Sequence, residues 1–203
     1  MKLLNTARFR FYEKLNDFLP DKNKSKSFDF SFEGNPGIKD IIESFGVPHT
    51  EFDLIIVNEN SVSFDYKLRN MDFVSIYPVF KNLDISSLSH LMEKPPGNPK
   101  FICDVHLGRL SRYLRMLGFD TLYNNKYNSN DIIKLSNEEM RIILTRNVFL
   151  LKNNSVVRGY WIRSQEPKYQ LIQVINYSDL LSEIKLFYRC SECNGLLKRF
   201  QRR

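Results

Sequence analysis

The chain has 203 residues, of which 42% are hydrophobic and 26% charged, ordinary values for a soluble globular protein. No apolar stretch approaches the roughly 20 residues that cross a bilayer, so a membrane-spanning helix is excluded. The net charge of +7 is carried by one half: residues 1–97 hold 12 Lys and Arg against 14 Asp and Glu, and residues 98–203 hold 18 against 9.

Residues 6–12 alternate in part and predict a strand. A polar connection, 22–27, leads to a second strand over 27–32, with Phe28, Phe30 and Phe32 on one face. The two could pair as a hairpin with a long loop. Asn35-Pro36-Gly37 turns the chain into a short helix, Ile38–Phe45, whose Ile38, Ile41, Ile42 and Phe45 follow helical spacing. Gly46 ends it and Pro48 follows. Strands are expected over 53–57 and 73–79, with 61–64 returning after a turn at Asn58-Glu59-Asn60. The order, read as ββαββ, fits a β-grasp fold of about 80 residues, and Pro95-Pro96-Gly97 marks a boundary near residue 98.

The second half alternates strand and helix. Strands are expected over 101–104, 119–123, 142–145 and 160–162. Helices are expected over 107–117, from an N-cap at Ser129 to about Asn137, from Val148, and over 169–175 and 178–184. Such alternation implies a parallel sheet with helices on both faces, whose site lies beyond the carboxyl ends of the strands.

So basic a half attracts polyanions, because neutralised phosphates release counterions. Nucleic acid is the leading partner class, an anionic membrane surface the second, and a surface kept only for solubility the alternative to both. Cys103 sits in an apolar run and reads as core; three cysteines make no disulfide scaffold, which points to a reducing compartment. The N-terminus shows no apolar signal region, so a cytoplasmic location is expected.

Asp104 ends the first strand of this half, Asp131 opens a later helix, and Thr145-Arg146-Asn147 ends the third strand. Two carboxylates and an amide oxygen converging on one edge would suit Mg²⁺ or Mn²⁺. The plainer alternative is that Asp104 caps the next helix and Asp131 favours its own helix dipole. Arg109, Arg112 and Arg115 recur every three residues and read as a basic stripe beside Asp104, able to hold phosphates, with Arg146 nearby. Cys190 and Cys193 form one CxxC, two of the four ligands that a closed zinc site needs. A Cys₄ site within one chain is therefore not expected; a site shared by two chains, a reduced pair or a truncated ribbon remain. His49, His90 and His106 have no metal or catalytic spacing, and His49 reads as a satisfied turn residue.

Residues 101–121, FICDVHLGRLSRYLRMLGFDT, resemble the opening of the Mut-seven C-terminal RNase domain, a PIN-like family. Ile143-Leu144-Thr145-Arg146 and the stretch from Arg189 to Gly195 are similar to later motifs of that family. Gly46–Glu51 and Tyr77–Phe80 look like the ubiquitin-like domain often found ahead of it. The resemblance implies a ubiquitin-like β-grasp domain (1–80), a linker (81–98), a PIN-like α/β domain (99–188) and a partial zinc-ribbon tail (189–203). It implies a divalent-metal RNase site in which Asp104 is the first acidic residue and Asp131 the second. Asn147 stands where the family usually has Asp, which weakens or removes the nuclease. The family's ribbon has two CxxC pairs against one here. Three functions follow: a metal-dependent ribonuclease, a non-catalytic binder of tRNA or rRNA, or an adaptor acting through the ubiquitin-like domain. That domain, without a Gly-Gly tail, is expected to dock a protein partner and not to carry sulfur.

Overall fold

The structure, a computed structural model, describes residues 4–78, 99–178 and 180–198. The expected linker, 81–98, and the segment after residue 78 lie outside these residues. The chain divides into two compact units, Met1–Lys94 and Pro95–Arg203.

In the first unit β1 (Asn5–Phe11) buries Ala7, Phe9 and Phe11 on one face, as its alternation predicts. It pairs antiparallel with β2 (Phe28–Phe32) and parallel with β5 (Phe73–Pro78). Strand β3 (Phe52–Val57) pairs with β5 and with the short β4 (Asn60–Val62), both antiparallel. The sheet order is β2-β1-β5-β3-β4. Helix α1 (Ile38–Ser44) covers one face with Ile38 and Ile42, and Phe45 just beyond it lies against Phe9, Phe28 and Phe30 at centroid distances of 5.1, 5.2 and 5.1 Å. The order is thus ββαβββ, because the return at 60–62 is a strand in its own right. The long β1–β2 connection also holds more than a polar loop: it contains two 3-10 turns, the first of which buries Leu15 and is followed by the buried Leu19. His49 is buried in a third such turn, its Nδ1 2.6 Å from Glu43 Oε1, which bears out its reading as a satisfied turn residue.

The second unit is a four-stranded, all-parallel sheet of β6 (Phe101–Cys103), β7 (Thr121–Leu122), β8 (Ile142–Thr145) and β9 (Gly159–Trp161), in the order β7-β6-β8-β9. Helices α2 (Gly108–Met116) and α5 (Pro167–Ser178) pack on one face, through Leu110, Leu114, Val174 and Ile175 against Phe101, Cys103 and Leu144. Helices α3 (Ser129–Glu139) and α4 (Val148–Leu151) pack on the other, through Ile132, Ile133, Leu150 and Leu151 against Ile102 and Ile143. Successive residues of β6 and β8 thus feed opposite cores, so these strands read as unbroken apolar runs.

Several boundaries differ from the sequence expectation. Asn128 caps α3 in place of Ser129: its Oδ1 accepts from Asn130 N and Asp131 N, and Asp131 Oδ2 accepts from Asn128 N. Either residue type can cap, and the reciprocal Asp131 bond selects Asn128. The expected helix over 178–184 is only a 3-10 turn, Leu181–Glu183. Helix α2 starts one residue late, at Gly108, because Val105–Leu107 is a 3-10 turn capped by Asp104.

Candidate active site

Strand order reverses at β6. The chain passes from β6 outward to β7, then crosses back to β8 on the other side. Helices α2 and α4, which follow β6 and β8, leave to opposite faces, which opens a crevice at the carboxyl ends of these two strands. Asp104 sits there, 4% exposed. Its Oδ1 accepts from His106 N at 2.8 Å, and its Oδ2 accepts from Arg146 N at 2.9 Å and from the Thr145 hydroxyl. A carboxylate has about four acceptor positions, so three donors fix its plane and leave room for one more partner. The plainer reading, Asp104 as a cap, is thus true in part: it caps a turn and also ties the end of β6 to the end of β8.

Thr145 continues the chain of contacts. Its Oγ1 accepts from Asn147 N at 2.9 Å, and Asn147 Oδ1 accepts from Phe149 N at 3.0 Å as the N-cap of α4. The sequence marks Thr145 only as the end of an apolar strand; its bond to Asp104 comes from the pairing of β6 with β8. Asp131 reaches the same edge by topology, since α3 begins where β7 has ended. It is half-buried and engaged in its capping box. Tyr123 closes over the start of α2, donating to Val105 O at 3.2 Å. A Cβ on Gly108 would lie 2.8 Å from the Tyr123 hydroxyl oxygen, so glycine admits this ring.

Asp104, Asp131 and Asn147 would offer two carboxylates and one amide oxygen, all hard ligands, but Asp131 Oδ2 is engaged by Asn128 N and Asn147 Oδ1 by Phe149 N. Among the described residues no group of three or more His, Cys, Asp or Glu gathers as a cation site. That set fits a Mg²⁺ or Mn²⁺ ion held by one or two carboxylates and keeping much of its water. It carries one charge fewer than three carboxylates would.

The arginine stripe is corrected. Helix α2 runs away from Asp104, and nine residues span roughly 13 Å. Arg109, in its first turn, is exposed near the edge, as is Arg146. Arg115, near the far end, is 5% exposed and donates to Thr121 O at 2.8 Å, Ser191 O at 3.1 Å and Glu192 O at 2.7 Å. Arg112 Nη2 lies 3.0 Å from Glu192 Oε2. A three-residue step rotates each arginine by about 60° from the last, so they do not share one face. Arg112 and Arg115 hold the CxxC segment, and they do so toward the amino end of the sheet.

That segment is a small hairpin. Cys190 N donates to Gly195 O at 2.8 Å, and Asn194 N to Cys190 O at 3.0 Å. Backbone N–H groups of Cys193 and Glu192 point at the Cys190 sulfur and lower its pKa, which favours a thiolate ligand. Asn194 anchors the hairpin, accepting from Thr121 N at 3.1 Å and donating to Asp120 Oδ1 at 2.8 Å. Burial alone would raise the Asp120 carboxyl, but hydrogen bonds from Arg141 and Asn194 outweigh it and hold it below its ordinary value. Cys190 and Cys193 would supply two sulfur ligands, half of what a closed zinc site needs. Cys103 is buried core, as expected, and burial pushes its thiol well up.

The family described as Mut7-C RNAse domain matches residues 99–203, and the family described as Mut7-C ubiquitin matches residues 4–84. No curated protein and no solved structure matches the chain.

Proposed function

Since this chain belongs to the Mut7-C RNAse family and carries a Mut7-C ubiquitin domain ahead of the nuclease-type domain, we propose that it binds RNA across the carboxyl edge of the parallel sheet and hydrolyses it with a divalent cation. The observation that carries this reading is Asp104: a carboxylate at the crevice between β6 and β8, oriented by three donors with one position left.

Asp104 and Asp131 would hold Mg²⁺ or Mn²⁺, with the Asn147 amide oxygen beside them. When bound, the ion supplies an activated water and neutralises charge on the phosphodiester. The protein's own residues orient. Thr145 and the Arg146 amide keep the Asp104 carboxylate from turning, and the Arg109 and Arg146 side chains hold phosphates over it. Cys190 and Cys193 would hold zinc at the amino end of the sheet, far along the fold from this chemistry, in a structural role. The ubiquitin-like unit is read as a protein-docking module. No helix among the described residues is long and apolar enough to cross a membrane, and a cytoplasmic location suits RNA as substrate.

Asn147 limits the rate. It offers one neutral oxygen and already accepts from Phe149 N. Aspartate caps helices as well as asparagine does, so Asn147→Asp keeps the cap and adds the charge. We expect Mn²⁺-dependent RNA cleavage to rise roughly tenfold, about 1.4 kcal/mol of barrier, in that variant. If neither protein cleaves while both bind RNA, the non-catalytic reading that Asn147 favours replaces this one. If neither binds RNA in moderate salt, the adaptor reading does.

A further inference from the structure

We propose that Phe149 is a base-stacking residue that takes one base of an RNA strand lying along the carboxyl edge. This role rests on the RNA reading of that edge.

Phe149 is 80% exposed, in the one-turn helix that follows Asn147. Its neighbours Leu150 and Leu151 are buried and anchor the turn in the core. The fold therefore gains nothing from an aromatic ring at 149. Phenylalanine is usually buried, and one lone exposed ring would need no explanation. Three features set this one apart.

The first is where it is rooted. A continuous run of hydrogen bonds links it to the candidate catalytic carboxylate: Thr145 Oγ1 donates to Asp104 Oδ2, Asn147 N donates to Thr145 Oγ1, and Phe149 N donates to Asn147 Oδ1. The ring thus projects from a backbone held in register with Asp104. The second is a cation over one of its faces, with Lys152 Nζ 5.8 Å from the ring centroid, so that a base would stack on the opposite face. The third is the exposed Arg146 one residue before the cap. An exposed aromatic ring with a lysine at one face and an exposed arginine three residues earlier in the chain, rooted next to the carboxylate at the sheet's edge, has the parts of a single-strand site. The ring takes a base, and the cations take the phosphates on either side.

The geometry also selects against duplex. In an A-form helix the bases are stacked on one another and cannot reach an outside ring, whereas a splayed single strand offers each base's face. An apolar protein partner on Phe149 would not need the two cations and would ignore the bases.

The test uses the full chain and fluorescence anisotropy with three probes of one length: oligoadenylate RNA, the same backbone without bases, and an RNA duplex. Phe149→Ser should weaken oligoadenylate binding by roughly five- to a hundredfold and leave the other two probes unchanged. Phe149→Trp should keep or strengthen it. Since the side chain is exposed, neither change threatens folding. Equal oligoadenylate affinity in the natural protein and Phe149→Ser overturns the stacking role while leaving the RNA site standing. Failure of the natural protein to bind any of the probes removes the RNA site and the stacking role together.

Discussion

An Asp104→Ala protein is expected to lose about 3–5 kcal/mol of the second unit's stability, comparable to breaking a buried ion pair. The substitution strands three donors in a site only 4% exposed: His106 N, Arg146 N and the Thr145 hydroxyl. It also removes the clamp between the ends of β6 and β8, the two strands at the middle of the sheet. Urea unfolding of the full chain should show the second unit melting earlier and the first unit melting where it did. A loss below about 1 kcal/mol would mean that water replaces the carboxylate freely and that the site is looser than the contacts imply.

The second large effect is at Arg115. Arg115→Leu leaves three carbonyls without their charged donor and loosens the hold of α2 on the CxxC hairpin and on β7, with Asn194 and Arg112 left to hold the hairpin. Hydrogen bonds to a charged group contribute about 1.5–3 kcal/mol each, and a net loss of about 3 kcal/mol is expected after water enters. Amide exchange is the direct readout. Amides of Cys190, Asn194 and Thr121 should exchange at least tenfold faster, while RNA affinity stays within about twofold. The opposite pattern, a protected hairpin with RNA binding lost, would return Arg115 to the phosphate-holding role that its sequence spacing suggested.

Arg115 also shows where sequence reading fails. The spacing of Leu107, Leu110, Leu114 and Leu117 marks the inward face: the first three are buried, Leu107 in the turn before α2, and Leu117, just past its end, is partly buried. Three-residue spacing of the arginines looked like a stripe, but each step turns part of the way round the helix. Which of them lies inward depends on what packs there, and that is a hairpin some 75 residues later. The β-grasp unit was legible because Phe9 and Phe11, the alternation at Phe28, Phe30 and Phe32, and the Ile38–Phe45 spacing are local patterns. Asp104 was legible for the same reason, since an acidic residue after an apolar run marks a strand's carboxyl end. Its partner Thr145 lies 41 residues away, across a pairing between two short strands, and no local pattern gives that register. Phe149 was passed over because an apolar residue in an apolar run reads as core; only the structure shows Leu150 and Leu151 turned inward and the ring left out.

The central proposition is that the Asp104 carboxylate works on RNA and does not merely brace the sheet. Cleavage of a single-stranded RNA in Mn²⁺, by the natural protein and by Asp104→Asn side by side, tests it most directly. The amide keeps the size of the side chain and removes its charge; its NH2 also takes the place of one acceptor oxygen, so metal-free RNA binding serves as the check that the site is still folded. Cleavage should fall at least about a hundredfold in the variant, with RNA binding in the absence of metal kept within about twofold. Equal cleavage by the two proteins would contradict the account.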